Sequence, residues 1–235
     1  MKILGFDTAA KTASVAVMDE TGRLVALSYL DSGFTHSETV LPMAKNLLDA
    51  LHTAPTDIDL YAVNCGPGSF TGLRIGIAAV KAMAFALDKP CAGPSTLEAL
   101  AWNAADWKMP VCTAMDARCG QVYFAIFDGS SGEPVRLCED RTVAVGELRP
   151  ELEACAARFG KILLMGDGAK PLADLYGDFC RPAPPNLVLG SAYGTCAAAR
   201  KIYREGNTVS ADALIPNYLK VAQAERERKA RLAQT

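Results

Sequence analysis

The sequence predicts an α/β protein of two related domains that face each other across a cleft, and three observations predict it. A strand ending in aspartate, then a turn and a second strand, occurs at Asp7 and again 109 residues on at Asp116. A strand running into a glycine loop and then a helix occurs at Gly66 and again 100 residues on at Gly166. Both landmarks come in the same order each time, the pattern expected of a duplicated unit.

The elements follow in chain order. Ile3–Phe6, Thr12–Met18 and Leu24–Tyr29 are short runs rich in alternating apolar residues, separated by turns at Thr8–Lys11 and Glu20–Gly22, and read as strands. Val40, Leu41, Ala44, Leu47, Leu48 and Leu51 recur at helical spacing. Pro42 suits only a first turn, which puts that helix start near Ser37–Thr39. Ala62–Asn64 ends a buried strand and feeds Cys65-Gly66-Pro67-Gly68-Ser69-Phe70-Thr71-Gly72, after which a helix runs from about Thr71 to Leu87. In the second half, Val111–Met115 and Gln121–Phe127 flank Asp116–Gly120, and Ile162–Met165 feeds Gly166-Asp167-Gly168-Ala169 and a short helix. The expected division is 1–106 and 107–190 as α/β domains, a helix at 191–206 that could pack on either domain, the first included, and a tail at 207–235. The joint falls near Asp106–Pro110, Arg181–Asn186 reads as irregular, and the mixed charges of Glu225–Arg231 read as a solvated helix end.

Composition narrows the function. With 235 residues, half of them hydrophobic and 21% charged, the chain has enough apolar side chain for packed cores, which excludes a disordered or fibrous protein. Lys+Arg 24 against Asp+Glu 26 gives a net charge of -2, too little positive charge for a stand-alone nucleic-acid binder. The eight cysteines, at 65, 91, 112, 119, 138, 155, 180 and 196, contain no CxxC pair, so zinc is not indicated and small buried thiols in a reducing cytoplasm are expected. Met1–Asp7 meets a carboxylate before any signal-type apolar run forms, and the richest apolar stretch, Ile75–Leu87, is short for a membrane span and contains Lys81. A soluble, cytoplasmic protein without membrane association is expected.

A carboxylate where a strand turns back, as at Asp7 and Asp116, can hold hydrated Mg²⁺ while turn N–H groups approach a phosphate. Actin-like and sugar-kinase-like ATPases use such a pair of hairpins with a glycine loop for adenosine. The candidate nucleotide-binding set here is Asp7, Thr8, Asp116, Arg118, Gly166 and Gly168. Thr8-Ala9-Ala10 and Ala117-Arg118 stand where glycines would let phosphate come close, so weak ATP or ADP binding is left open and no cofactor is assigned. The Gly66–Gly72 loop precedes a helix N-terminus, a geometry that serves as a tight turn or an anion site, and it lacks the Lys and Ser/Thr of a Walker A loop. The following helix is apolar nearly all round: Leu73, Ile77, Val80, Ala84 and Leu87 form one stripe, Gly76, Ala79, Met83 and Ala86 another. Such a helix is buried on two sides, which suggests a protein–protein interface. The two histidines, His36 and His52, form no catalytic arrangement, and an HxxxH metal pair starting at His36 meets Val40 instead. No metal is assigned.

Leu4-Gly5-Phe6-Asp7-Thr8, His36-Ser37-Glu38 with Leu41-Pro42, and Gly66-Pro67-Gly68-Ser69-Phe70-Thr71-Gly72-Leu73-Arg74-Ile75-Gly76 together resemble the bacterial TsaB (YeaZ) family. Asp116-Ala117-Arg118 with Gln121-Val122-Tyr123, Gly166–Ala169 and Pro216-Asn217-Tyr218-Leu219-Lys220 extend the resemblance over nearly the whole chain. It implies an actin/Hsp70-like (ribonuclease H-like) fold and a part in forming N6-threonylcarbamoyladenosine at position 37 of tRNAs that read A-starting codons. It also implies a non-catalytic scaffold: the paralogue TsaD carries the metal-binding HxxxH and transfers the threonylcarbamoyl group, the chain resembling this one pairs with it, and the ATPase TsaE joins them. The implied partners are therefore a TsaD-like paralogue, a TsaE-like ATPase, a second copy when alone, and tRNA only through the complex, with Lys220–Arg231 as this chain's one basic contributor. The interface is expected on His36–Leu51 and Phe70–Met83, through His36, Glu38, Leu41, Phe70, Thr71, Arg74, Gly76, Ala79 and Met83. Two alternatives stay open: an actin-like ATPase or small-molecule kinase using Asp7 and Asp116, and a metallopeptidase-like hydrolase, against which Val40 argues.

Overall fold

The computed structural model describes residues 1–220; the Glu225–Arg231 stretch and the tail beyond Lys220 lie outside the described residues. The chain begins with three strands, β1 (Lys2–Asp7), β2 (Ala13–Asp19) and β3 (Leu24–Leu30), followed by α1 (His36–Ala50), β4 (Leu60–Val63), α2 (Phe70–Leu87) and β5 (Cys91–Ala92). A helix, α3 (Thr96–Trp102), leads into β6 (Val111–Asp116), β7 (Gln121–Asp128), β8 (Val135–Arg136) and β9 (Arg141–Ala144). Then come α4 (Arg149–Phe159), β10 (Ile162–Met165), α5 (Ala169–Tyr176), β11 (Cys180–Pro182) and α6 (Ala192–Arg204).

The strands form two sheets with one design. The first has the order β3-β2-β1-β4-β5, with β1–β2 antiparallel and β4 parallel to β1. The second has the order β11-β10-β6-β7-β8, with β9 also on β7, β6–β7 antiparallel and β10 parallel to β6. Read from the hairpin outward, the two are the same sheet twice, the actin-like duplicated α/β architecture.

Central strands of the first sheet are buried on both faces, so they read as near-continuous apolar runs. Leu4, Phe6, Val15, Val17, Tyr61 and Val63 point to the face covered by α1 and α2. Ile3, Ala16, Met18, Leu60 and Ala62 point to the other, where α6 lies. The inner side of α6 is Ala192, Gly194, Thr195, Cys196 and Ala197–Ala199, all small, which lets its backbone settle onto β1, β2 and α3. In the second sheet, Cys112, Ala114, Phe124, Ile162 and Leu164 pack with Leu148, Leu152 and Leu172 of the α4–α5 layer. Its opposite face joins the first core through Val111, Met115, Ala125 and Leu163. The link is α3, which packs against both α6 and β6–β7.

The structure departs from the reading of the sequence at four points. First, α1 begins at His36, so Pro42 lies in its second turn. It is tolerated because it is on the exposed face, where the carbonyl it leaves unpaired meets water, while Val40, Met43, Ala44, Leu47 and Leu48 are buried. Second, Arg181 and Pro182 belong to β11, parallel to β10; Pro182 is tolerated because β11 is an edge. Third, α3, α4, β5, β8 and β9 carry too short or too weak a pattern to be read in advance. Fourth, Cys65, Cys91, Cys112, Cys155, Cys180 and Cys196 are buried, but Cys138 is half-buried and Cys119 is exposed on the β6–β7 turn.

A Cβ at Gly194 would run into the Ala99 carbonyl and the Asn103 amide of α3. Gly194→Ala is expected to lower stability by about 2 kcal/mol, because backbone there cannot yield. Gly146→Ala, where a Cβ meets nothing within 4 Å, is expected to stay within about 0.5 kcal/mol of the parent. Urea unfolding midpoints check both.

Candidate functional site

Each sheet ends its first strand in an aspartate that folds the next turn. Asp7 Oδ1 accepts the Ala9 N–H at 3.1 Å, and Asp116 Oδ1 accepts the Arg118 N–H at 2.8 Å. Beside each hairpin a parallel strand stops at a glycine in the left-handed region: Gly66 (φ 120°) after β4 and Gly166 (φ 98°) after β10. Neither could carry a side chain, since a Cβ would meet the Asn217 carbonyl at the first and the Ala114 carbonyl at the second.

Between the hairpins lies a cleft of about 450 Å³, lined by Ala9–Lys11, Pro67–Thr71, Met115–Arg118, Tyr123, Asp167 and Asn217–Lys220. Of the expected nucleotide-binding residues, Asp116 and Arg118 line it. Asp7 and Gly166 instead line a hollow of about 10 Å³ behind it, with Ala10, Leu100, Met115 and Leu189. Thr8 and Gly168 line neither. Lys11, Tyr123, Asp167, Tyr218 and Lys220 belong to the cleft but were not among the expected nucleotide-binding residues, although all but Lys11 lie in the motifs that carry the family resemblance. Asp167 carries a further signal, sitting between the two glycines of the second loop.

The first hairpin is closed on itself and on its neighbour. Its Ala9 N–H is held by Asp7, its Ala9 carbonyl takes the Ser69 N–H at 2.7 Å, and the Thr8 hydroxyl donates to the Gly72 carbonyl at 2.8 Å. A phosphate at a turn is held by free donors, and of those here the Ala9 N–H and the Thr8 hydroxyl are already engaged within the protein. The second hairpin is more open. Arg118, Cys119 and Gly120 turn through φ 64°, 57° and 69°, and the largely exposed Arg118 guanidinium sits 3.2 Å from the Asp116 carboxylate. The Asp116 N–H is held by Asp167 Oδ1 at 2.8 Å.

Burial pushes the Asp7 carboxyl above the usual carboxylate range; the Ala9 N–H, Asn64 and His36 pull it back. The buried Asn64 amide makes no hydrogen bond of normal geometry and acts on Asp7 as a longer-range polar neighbour. Asp167 is likewise raised by burial, against the Asp116 N–H. Burial also drives the Cys65 and Cys196 thiols up to about 12, which removes them as nucleophiles. Among the described residues, no three His, Cys, Asp or Glu side chains are grouped to hold a metal ion. The His36 Nε2–H donates to the Ala10 carbonyl at 2.9 Å, leaving Nδ1 buried without a protein partner, and Val40, one turn on, is buried in the core.

The expected docking residues divide. Glu38, Leu41, Phe70, Thr71 and Arg74 are exposed, His36 and Met83 are half-buried, and Arg74 lies over the Phe70 ring at 5.2 Å. Gly76 and Ala79, however, are buried, and a Cβ on Gly76 would strike the Thr8 hydroxyl. They face the sheet because α2 crosses the first hairpin with almost no clearance. The outward stripe of α2 is instead Arg74, Ala78, Ala82, Phe85 and Ala86, with Phe85 71% exposed. With 18 residues and a mean hydropathy of 1.5, α2 is long and apolar enough to cross a membrane by composition alone, yet Leu73, Ile77, Val80 and Ala84 are packed in the core. It is a core helix with an apolar outer face.

The model of the tRNA N6-adenosine threonylcarbamoyltransferase (TsaD) family matches residues 32–160. The tRNA threonylcarbamoyladenosine biosynthesis protein TsaB of Escherichia coli is 33% identical, covering 94% of this chain and 95% of its own. The TsaB of Bacillus subtilis is 29% identical, covering 96% of each. In structure, YeaZ from Pseudomonas aeruginosa superposes with a TM-score of 0.78 at 28% identity, covering 93% of this chain and 99% of its own.

The raised Asp7 carboxyl has a consequence for stability. Its folded pKa lies above the unfolded value near 3.8, so the native state holds the proton more tightly and stability falls as pH rises through that window. Asp7→Asn keeps an acceptor for the Ala9 N–H without the buried charge. It is expected to be more stable than the parent at pH 7.5, with the difference shrinking as pH falls through the raised carboxyl range toward 4. Urea unfolding at the two pH values checks it, and the reverse ordering would overturn the assignment.

Proposed function

The chain belongs to the TsaB (YeaZ) family, and we propose that it serves tRNA N6-threonylcarbamoyladenosine biosynthesis as a non-catalytic scaffold in the cytoplasm. It pairs through the outer faces of α1 and α2 with a TsaD-like catalytic paralogue, and a TsaE-like ATPase joins that pair. Alone, the same face pairs with a second copy.

The observation that carries this reading is the outer stripe of α2. Ala78, Ala82, Phe85 and Ala86 expose apolar surface on α2, as Leu41 does on α1, and small residues let a partner helix approach closely. Arg74, held over Phe70, supplies a polar edge. The chemistry supports a subunit that does not carry out the transfer: Val40 stands where an HxxxH pair would need a second imidazole, and the Thr8 hydroxyl and Ala9 N–H of the first hairpin are engaged within the protein. A net charge of -2 supports tRNA being held mainly by the assembled complex.

The test is a reconstituted mixture of tRNA, threonylcarbamoyl-AMP, the catalytic paralogue and the ATPase. Omitting this chain is expected to abolish threonylcarbamoyladenosine formation, and adding the Asp7→Asn/Asp116→Asn variant is expected to restore it. Ala82→Arg, on the exposed stripe where it leaves the core untouched, is expected to weaken partner binding at least about tenfold by calorimetry. Unchanged product on omission would sink the scaffold role, and unchanged affinity of Ala82→Arg would sink the docking face.

A further inference from the structure

We infer that Asn217–Lys220 is a strap across the cleft that couples the first turn of α2 to the hairpin of the second sheet, so that neither moves without the other. The inference goes beyond the docking role and needs no partner.

The segment leading to the strap is fixed to the first sheet. Val209 exchanges two backbone hydrogen bonds with Cys91, at 2.8 and 2.9 Å. Leu214 is buried beside Gly93, and Lys81 Nζ on α2 donates to the carbonyls of Asp212 and Leu214 at 3.1 and 3.2 Å. The Asn217 N–H then donates to the Cys65 carbonyl at 2.6 Å, and the Asn217 carbonyl passes over Gly66, where no side chain could fit.

From there the strap touches both sides of the cleft. The Tyr218 ring stacks on Phe70, the first residue of α2, with centroids 4.7 Å apart and planes at 27°. Two residues on, Lys220 Nζ donates to the Ala117 carbonyl at 2.7 Å. Ala117 belongs to the hairpin in which Arg118 and Cys119, neither of them glycine, adopt left-handed backbone, a conformation that persists only where its surroundings hold it. The strap is one of those holds. Phe70 also carries Arg74, so a load on the exposed start of α2 passes through Phe70 and Tyr218 to Lys220 and Ala117.

Hydrogen exchange by mass spectrometry on the full chain tests the coupling, with peptides spanning 66–74, 116–121 and β1. Tyr218→Ala, whose ring contact is with Phe70, is expected to speed exchange at 116–121 roughly two- to tenfold, the range one aromatic pair is worth. Lys220→Met is expected to act in the opposite direction, speeding exchange at 66–74, while β1 stays protected in both. Tyr218→Phe keeps the ring and is expected to match the parent. Should Tyr218→Ala disturb β1 as well, Lys220→Met decides. Effects confined to each residue's own side of the cleft would overturn the strap, as would Tyr218→Phe behaving like Tyr218→Ala.

Discussion

Where α2 crosses the first hairpin, the two backbones come together with no side chain between them. Gly72 and Gly76 lie against Thr8, whose hydroxyl donates to the Gly72 carbonyl while Ser69 N–H reaches the Ala9 carbonyl. Much else follows from that contact. It fixes the rotation of α2, burying Leu73, Ile77 and Val80 and turning Ala78, Ala82 and Phe85 outward. It takes up the Thr8 hydroxyl and the Ala9 carbonyl of the hairpin. It also brings Phe70 to the rim of the cleft, where Tyr218 stacks on it. The first hairpin is thereby the support on which α2 rests.

The two sheets share an order but not a fate. In the first, Asp7 sits under Ala10 and Met115, away from the cleft, and its turn is closed. In the second, Asp116 faces the cleft with Arg118 beside it, in a turn that keeps two non-glycine residues in left-handed backbone. Behind the cleft the halves are tied by polar contacts. The Ser95 hydroxyl at the start of α3 donates to Asp140, Arg136 pairs with Asp140 and with Glu98, and Lys201 of α6 reaches Glu98. Arg136, Asp140 and Glu98 are largely buried, so these pairs resist solvent screening better than surface ion pairs do. With the strap at the mouth and this cluster at the back, relative motion of the sheets is restrained from two sides.

The duplication was legible in the sequence because its signals are local. An aspartate ending an apolar run and a glycine ending another each impose a backbone turn that other residues make poorly. The orientation of α2 was not legible. A helix apolar nearly all round has no periodic signal to say which stripe is inward, and Gly76 and Ala79 read equally well as a partner-facing seam or as a sheet-facing one. What decides is the clearance over Thr8, a contact 68 residues away in sequence. Pro42 misled for a related reason: its cost depends on whether the lost hydrogen bond faces water, and that depends on how α1 is rotated on the sheet. The cleft residues Lys11, Tyr123 and Tyr218 come from three distant segments, and no spacing rule brings them together.

The outer face of α2 is where folding and function separate. Folding gains nothing from Phe85, which leaves most of its ring in water, and a charged residue there would serve a lone α/β protein as well. The inner face alone accounts for the docking of α2 on the sheet, since Leu73, Val80 and Ala84 are essentially inaccessible. Apolar residues at Ala78, Ala82, Phe85 and Ala86 therefore answer to something other than the core, and alanines at three of the four positions favour a closely approaching helix over a loosely fitting ligand. Continuity sharpens the point. The stripe starts at Arg74 and Phe70, the residues that meet Tyr218, so the surface best suited to a partner is also the surface mechanically joined to the cleft. In that arrangement a partner seated on α2 has a route to the second sheet.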